Sequence, residues 1–499
     1  EAYGAGKEVA AVKGSTTRRV RLKISEFKGT DTTTEKKLLS PEYSPDTYNF
    51  TFTGGALKAE IGVDVAMLGI LADKNFWHYL PELPEGESVE NLHFYRKYDF
   101  TNKKRDDKIV VKGSSGNYYV APFWETGTFE KIPNIFVSSL DSSVNYRYNG
   151  NDVLIIAGTG GGVYIYDGTK ITYVKNAPTI TSMCVHYERI YATVSGEANS
   201  LWFSDDFNPE NWNASLSEGG FINFDDDGGR VIKAVSFLDH VYVFRDYGIV
   251  RLTAYGSQEN YTVSKVYVSA SRILPDTIAC CGDRIIFLTD EGLFSFNGYT
   301  MTMIAKEITN LFHRDRSAAK GAYVKGNYYL CCRLRQDAGN VLCEEQPGFI
   351  NNSVVRVDVR TGKVDIFRGV DVKGMTAMES LHIGEVLLFF RGQYSTQMGM
   401  MSKSGKLFDI LAPKHWECAE TDLGRPDTEK TVRTVWLTTA ADCTLTVVLD
   451  GKKFAYEVKG GSKPKKIVVN RRGSTVGFMI DTDKKSPVIS GLTAEVDVK

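Results

Sequence analysis

Residues 153–174 read VLIIAGTGGGVYIYDGTKITYV, and this stretch decides the fold. A central apolar run, 153–157, ends at the glycine-rich break 158–162. An alternating strand then runs to Tyr166, and Asp167-Gly168, a favoured hairpin turn, leads into a third strand. No helix follows the glycines and no Lys-Ser/Thr closes them, so a phosphate-binding loop is excluded and a meander of strands remains.

The same grammar returns on either side. It is present in IVVKGSSGNYYVAPF upstream, and downstream in MCVHYERIYATVS with SLWFSDDF and in AVSFLDHVYVFRDYGIVRLTAYG. It recurs in IACCGDRIIFLTDEGLFSFNGYTMTMI, in AYVKGNYYLCCRLR with SVVRVDVRTGKVDIF, and in EVLLFFRGQ. Each unit is a strand, a polar turn, a strand carrying the apolar run, a Gly-bearing hairpin and an outer strand. Units of roughly 40 residues match the period of four-stranded propeller blades. One sheet cannot bury both its faces alone, whereas radial stacking of sheets does. The chain is therefore expected to be all-β, with a central β-propeller of about six or seven blades over residues 108–411. A pair of sandwiches or an irregular meander is the competing architecture.

Beyond Pro413 the pattern changes. CTLTVVLDGKKFAYEVKG, KKIVVNRRGSTVGFMID and VISGLTAEVDVK alternate apolar and polar residues across turns at Asp450-Gly451, Gly460-Gly461 and Arg472-Gly473. This predicts a two-sheet antiparallel sandwich over 412–499. Residues 1–107 read as an N-terminal arm and early strands, with YRKYDFTNKKRDDK as a charged linker. Within them Pro41 and Pro45 hold the chain extended, and Gly54-Gly55 turns a hairpin. Tyr48, Phe50, Phe52 and Leu57 then form an apolar face expected to pack on a neighbouring domain or subunit.

Composition bounds the function. The 499 residues hold 60 Lys+Arg against 61 Asp+Glu, so the chain lacks the basic field of a dedicated nucleic-acid binder. No apolar run approaches the ~18 residues of a membrane span. Eight cysteines include the adjacent pairs Cys280-Cys281 and Cys331-Cys332, whose side chains point to opposite faces of a strand; they read as buried thiols of a reducing compartment.

No residue set has the spacing of an active site. Asp225, Asp226 and Asp227 in FDDDGGR lack an EF-hand pattern and fit an ordinary turn. WFSDDFNPENWN (202–213), with Ser204, Asp206 and Trp212, loosely resembles the Asp-box turn of sialidase-type propellers, itself a structural turn. The seven histidines, His78, His93, His186, His240, His313, His382 and His415, are scattered without i,i+4 pairs and read as surface or blade-edge residues. The expectation is a non-enzyme without cofactor or metal. Three basic stretches could screen DNA phosphates if they line a channel: Arg18, Arg19, Arg21 and Lys23; Lys103, Lys104 and Arg105; and Arg471 with Arg472.

The order of EFKGTDTTTEKKLLSPEYSPDTYNFTFTGGALKAEIGV, LWFSDDFNPENWN, VYVFRDYGIVRLTAYG, WECAETDLGRPDTEKTVRTVWL and NRRGSTVGFMI resembles the virion tail and neck proteins of tailed bacteriophages, of the propeller tail-hub, nozzle or packaged-DNA-stabilisation type. The resemblance implies a structural virion protein made in the bacterial cytoplasm. It would assemble as a multi-copy ring around or below the portal. Its partners would be other copies of itself and portal, adaptor or other tail proteins, with non-specific contact to packaged DNA in the channel. Two alternatives come from other classes. One is a carbohydrate-binding or glycan-processing propeller that stacks sugars on Trp124, Trp202 or Trp212. The other is a peptide-recognising scaffold.

Overall fold

In the second strand of the unit quoted first, Asn151–Gly158, alternate side chains enter two different cores. Leu154 and Ile156 pack with Val110, Tyr118 and Ile132 of the preceding sheet, while Val153, Ile155 and Ala157 pack with Met183, Ile190 and Ala192 of the following one. Strand alternation divides the side chains between the faces, and a neighbour on each face buries both sets. The continuous apolar run follows from this. The same division recurs along the chain. Val241 and Val243 face one neighbour and Tyr242 and Phe244 the other; Ile285 and Phe287 are likewise opposed to Ile286 and Leu288.

A computed structural model describes residues 49–53, 56–60, 83–100, 102–122, 129–213, 219–335, 349–368, 372–380, 384–390, 398–400, 406–407, 410–411, 414–418, 420–482 and 489–498. Its contacts divide the chain into two compact units. The first lies within residues 1–401, apart from two three-residue stretches, and the second is centred on 402–499.

Among the described residues the first unit is a β-propeller of seven antiparallel sheets, each a meander of strands in chain order, with a small hairpin inserted between the first two strands of blade 1. Their first strands are Val89–Tyr95, Asp141–Tyr148, Ile180–His186, Val231–Phe237, Ala279–Cys280, Lys320–Val324 and Gly374–Ser380, opening blades 1 to 7. Blades 1 to 6 have four strands and blade 7 has three among the described residues. First strands lie beside one another from blade 1 to 2, 2 to 3, 3 to 4, 5 to 6, 6 to 7, and from 7 back to 1. The circuit closes through one apolar core that joins Val89, Leu92, Ile109 and Val111 of blade 1 to Met378, Val386, Leu388 and Phe390 of blade 7. Lys373 adds an ion pair to Glu90 at 2.5 Å across the same seam.

Two boundaries read from the sequence move. Val89–Tyr95 pairs with Lys108–Gly113 inside blade 1, so the propeller begins before residue 108. The charged stretch read as a linker is the loop between these strands, folded on itself as the small hairpin Tyr98–Asp99 with Lys104–Arg105. The compact unit ends near Met401 and not at 411.

The second unit is the expected sandwich. One sheet is ordered Lys414–Glu417, Val476–Thr482, Cys443–Leu449, Lys452–Val458, and the other Lys465–Gly473, Lys430–Thr439, Ile489–Val498. Its core takes Val432, Val435 and Leu437 from one sheet and Leu445, Val447, Leu449 and Ile480 from the other. Near the N-terminus, Asn49–Thr53 pairs with Ala56–Glu60 in a register that sets Phe52 opposite Leu57 and Phe50 opposite Ala59. The hairpin is thus formed around Gly54-Gly55. Tyr48 and the side chains of Phe50, Phe52 and Leu57 lie outside the described structure, and with them the apolar face expected from the sequence. Among the described residues no helix is long and apolar enough to cross a membrane.

Candidate functional site

The densest polar cluster lies between blades 1 and 2. Asp141, at the start of blade 2, is enclosed by His93, Lys112, Tyr118 and Asn91 of blade 1. Burial pushes its carboxyl up, but the charge and hydrogen bond of His93, then Lys112 and Tyr118, outweigh this and hold it well below the usual carboxylate range. An ionised carboxylate only accepts, so Tyr118 Oη donates to Oδ2 at 2.6 Å and Asn91 Nδ2 donates to Oδ1 at 3.1 Å. His93 Nε2 then donates to Asp141 Oδ2 at 2.7 Å, and its Nδ1 meets Ser143 Oγ at 2.8 Å. Lys112 Nζ stands 3.9 Å from Oδ1 and donates to the Ser139 carbonyl. Every buried polar atom of this Asp–His–Tyr–Lys set is matched within the protein, and the set joins two sheets.

Sequence spacing explains how the cluster forms and why it was missed. His93 and Ser143 are 50 residues apart, and so are His186 and Ser236, which make the same 2.8 Å contact between blades 3 and 4. Tyr328 Oη donates to the Thr277 carbonyl from 51 residues away, and Lys233 Nζ reaches the Pro275 carbonyl from 42. The polar links repeat with the blade. His93 and His186 are therefore buried inter-blade residues, and neither is a surface residue as the sequence suggested.

A second cluster uses the triple aspartate. Arg245, fully buried, donates from Nη1 to Asp226 Oδ1 at 2.6 Å and from Nε to the Gly229 carbonyl at 2.8 Å. Lys265 approaches the other Asp226 oxygen at 3.0 Å. Next to it Asp246 accepts from Arg230 Nε at 2.9 Å and lies 3.5 Å from Arg272 Nε. Asp226 is spent on an arginine clasp, and Asp225 and Asp227 are exposed. Among the described residues no group of three or more His, Cys, Asp or Glu is placed to hold a metal ion.

The other sequence candidates are dispersed. In 202–213, Ser204 Oγ accepts from the Ile190 amide, Asp206 pairs with Arg189 at 2.7 Å, and Trp212 is buried with Nε1 donating to the Pro209 carbonyl. This is a structural turn, and the enclosed Trp212 offers no face to a sugar. Trp202 is half-buried against Phe221, and Trp124 lies outside the described residues. Burial pushes the Cys184 thiol up to about 12, which keeps it protonated. Cys281, Cys331 and Cys332 are buried as the sequence suggested, but Cys280 is exposed, the seven described cysteines are free, and Cys343 lies outside the described residues. Arg105 pairs with Asp107 at 2.9 Å and Arg472 with Glu429 at 3.6 Å, Arg471 lies over Phe454, and the stretch from Arg18 to Lys23 is outside the described residues.

What faces solvent most conspicuously is apolar. Turns between first and second strands, and between third and fourth, lie at one end of each meander. In blades 3, 4 and 5 they carry Tyr187, Phe207, Leu238, Tyr255 and Tyr299, all exposed. Tyr187 and Tyr255 meet edge to face with centroids 6.3 Å apart, and the Phe207 amide donates to the Glu188 carbonyl at 3.2 Å. Leu238 Cδ1 is 3.6 Å from where a Cβ on Gly298, the neighbour of Tyr299, would stand. Blades 2 and 6 make the equivalent first turn with Asn149-Gly150 and Lys325-Gly326, both residues at positive φ. Blade 4 makes it with Leu238 at φ 45° and Asp239 at 59°, and in blade 3 Tyr187 has φ 49°. A left-handed backbone costs a side chain of this size roughly 1–2 kcal/mol. In blades 3 and 4 that cost is borne with the apolar groups of Tyr187 and Leu238 projected outward.

No protein-family model matches the sequence, and no curated protein matches it. Among solved structures the chain is similar to BBS1N in a crystal of its complex with ARL6DN soaked with mercury. The TM-score is 0.39 at 12% identity, covering 62% of this chain and 90% of that one. The lead-soaked crystal of the same complex gives 0.39, 12%, 62% and 91%.

Proposed function

We propose that the protein is a structural component of a tailed-bacteriophage tail or neck, assembling in several copies with itself and with portal, adaptor or other tail proteins. The observation that carries this reading is how the polar side chains are used. Asp141, His93, Arg245 and Asp246, the buried groups with environments suited to chemistry, are each engaged in holding strands or sheets together. A stiff, cross-linked propeller suits a part that bears load and presents loops to neighbours. The sequence resemblance to virion tail and neck proteins supplies the setting. Of the basic stretches read from the sequence, the blade 1 loop presents Lys103 and Lys104 exposed to solvent, where they would meet DNA phosphates.

The test is localisation. Particles purified from an infected or induced host should contain the chain as a stoichiometric band, and labelled copies should map to the tail or neck by electron microscopy. Purified particles that lack the chain would overturn the reading.

A further inference from the structure

We propose that the exposed face of blades 3 to 5 formed by Tyr187, Phe207, Leu238, Tyr255 and Tyr299 is a docking surface for a protein segment that carries apolar side chains flanked by lysine or arginine. Three observations carry it. The five side chains are exposed on turns at the same end of the meanders of three successive blades, and Tyr187 meets Tyr255 from one blade to the next. Tyr187 and Leu238 hold left-handed backbone positions that blades 2 and 6 assign to Asn149-Gly150 and Lys325-Gly326, so their presence is not needed to make the turn.

The third observation is charge, and it selects the occupant. Glu188, Asp239 and Glu259 are exposed on these turns and have no ion-pair partner among the described residues. The arginines of the same turns are already matched, Arg189 with Asp206 at 2.7 Å and Arg284 with Asp283 at 2.8 Å. An aromatic face with an unmatched acidic rim complements a segment that is apolar at its centre and basic at its edges. Within the patch His186 is 4% exposed, its ring lies against Tyr187 with centroids 4.3 Å apart, and its Nε2 is buried without a hydrogen-bond partner.

The inference deepens the assembly reading by naming a surface and the chemistry of its partner, and the two fail separately. Particles lacking the chain would sink the first without touching the second. The test displays a library of random 16-residue peptides against the full chain and remeasures the two most enriched sequences as synthetic peptides. Enriched peptides should combine aromatic or large aliphatic anchors with Lys or Arg, and should weaken as salt is raised. Tyr255→Ser and Leu238→Asn should each reduce their affinity about tenfold or more. Leu238→Asn should at the same time raise the melting temperature, which separates lost docking from lost folding. No enrichment, acidic consensus peptides, or affinities indifferent to both variants would overturn the proposal. So would self-association of the wild type that either variant abolishes, or a glycan that binds this face in place of the peptides, because each names a different occupant.

Discussion

The second strands of the blades and the strands of the C-terminal sandwich are made of similar residues but are buried differently. Leu154 and Ile155 are adjacent, point to opposite faces, and are both fully buried; Val468 and Val469 are also adjacent, yet Val469 is buried and Val468 is 59% exposed. A sheet with neighbours on both faces needs apolar residues in sequence, and a sheet with one neighbour needs them in alternation. The comparison extends to charge. Asp141 is locked among three buried partners and the half-buried Asn91, whereas Arg433 and Asp497 in the sandwich pair at 2.6 Å on the surface. The Asp141 set joins two sheets of the propeller, whereas the Arg433–Asp497 pair lies within one sheet of the sandwich.

Removing such a link should give the largest effect. Asp141→Ala leaves Tyr118 and His93 buried without their acceptor and Lys112 without its counter-charge, and should cost about 3–5 kcal/mol in urea unfolding of the propeller. Arg433→Ala should cost less than about 1 kcal/mol. Comparable losses would erase the distinction between the two regions.

Consecutive truncations come next. Leu154→Ala and Ile155→Ala should each cost about 2–5 kcal/mol because both faces are core. In the sandwich Val469→Ala should destabilise while Val468→Ala stays within about 0.5 kcal/mol. If Leu154→Ala or Ile155→Ala proved silent, one face of the blade would not be packed as described.

The response to acid sharpens the same contrast. A carboxylate whose pKa is depressed on folding contributes its full stability above the unfolded value of about 4, and loses it as pH falls through the folded value. The propeller should therefore lose stability below about pH 4, and Asp141→Asn should flatten that loss in a pH series of melting curves. Burial lowers the His186 pKa, so this residue disfavours the folded state once the unfolded imidazole can charge, below about pH 6.5. Replacing it with Gln should remove a shallow decline in that range. The smallest effect is expected at the turn tips. Tyr187→Asn should stabilise by about 1 kcal/mol by relieving a left-handed tyrosine, whereas Asn149 already occupies its turn without that cost.

Much of the propeller was legible because two-sided burial writes an unbroken apolar run such as 153–157 into each blade, and Gly or Asp-Gly closes the hairpins. Blade 1 escaped that reading. Its first turn is expanded into the charged loop before Lys108, which hides the pairing of Val89–Tyr95 with Lys108–Gly113. The Asp141 cluster escaped because its members are singly unremarkable and come together only when one blade stacks on the next. Their 50-residue spacing, shared by His93 with Ser143 and His186 with Ser236, is the signal that could have found them. The apolar turn tips were present in the quoted segments, but only their backbone geometry and exposure separate them from core residues.

The central claim is that buried polar pairs couple neighbouring blades. A double-mutant cycle on His93→Ala and Asp141→Ala, read by urea unfolding at pH 7, tests it most directly. The account predicts a coupling energy of roughly 1–3 kcal/mol; additive effects, within about 0.3 kcal/mol, would contradict it.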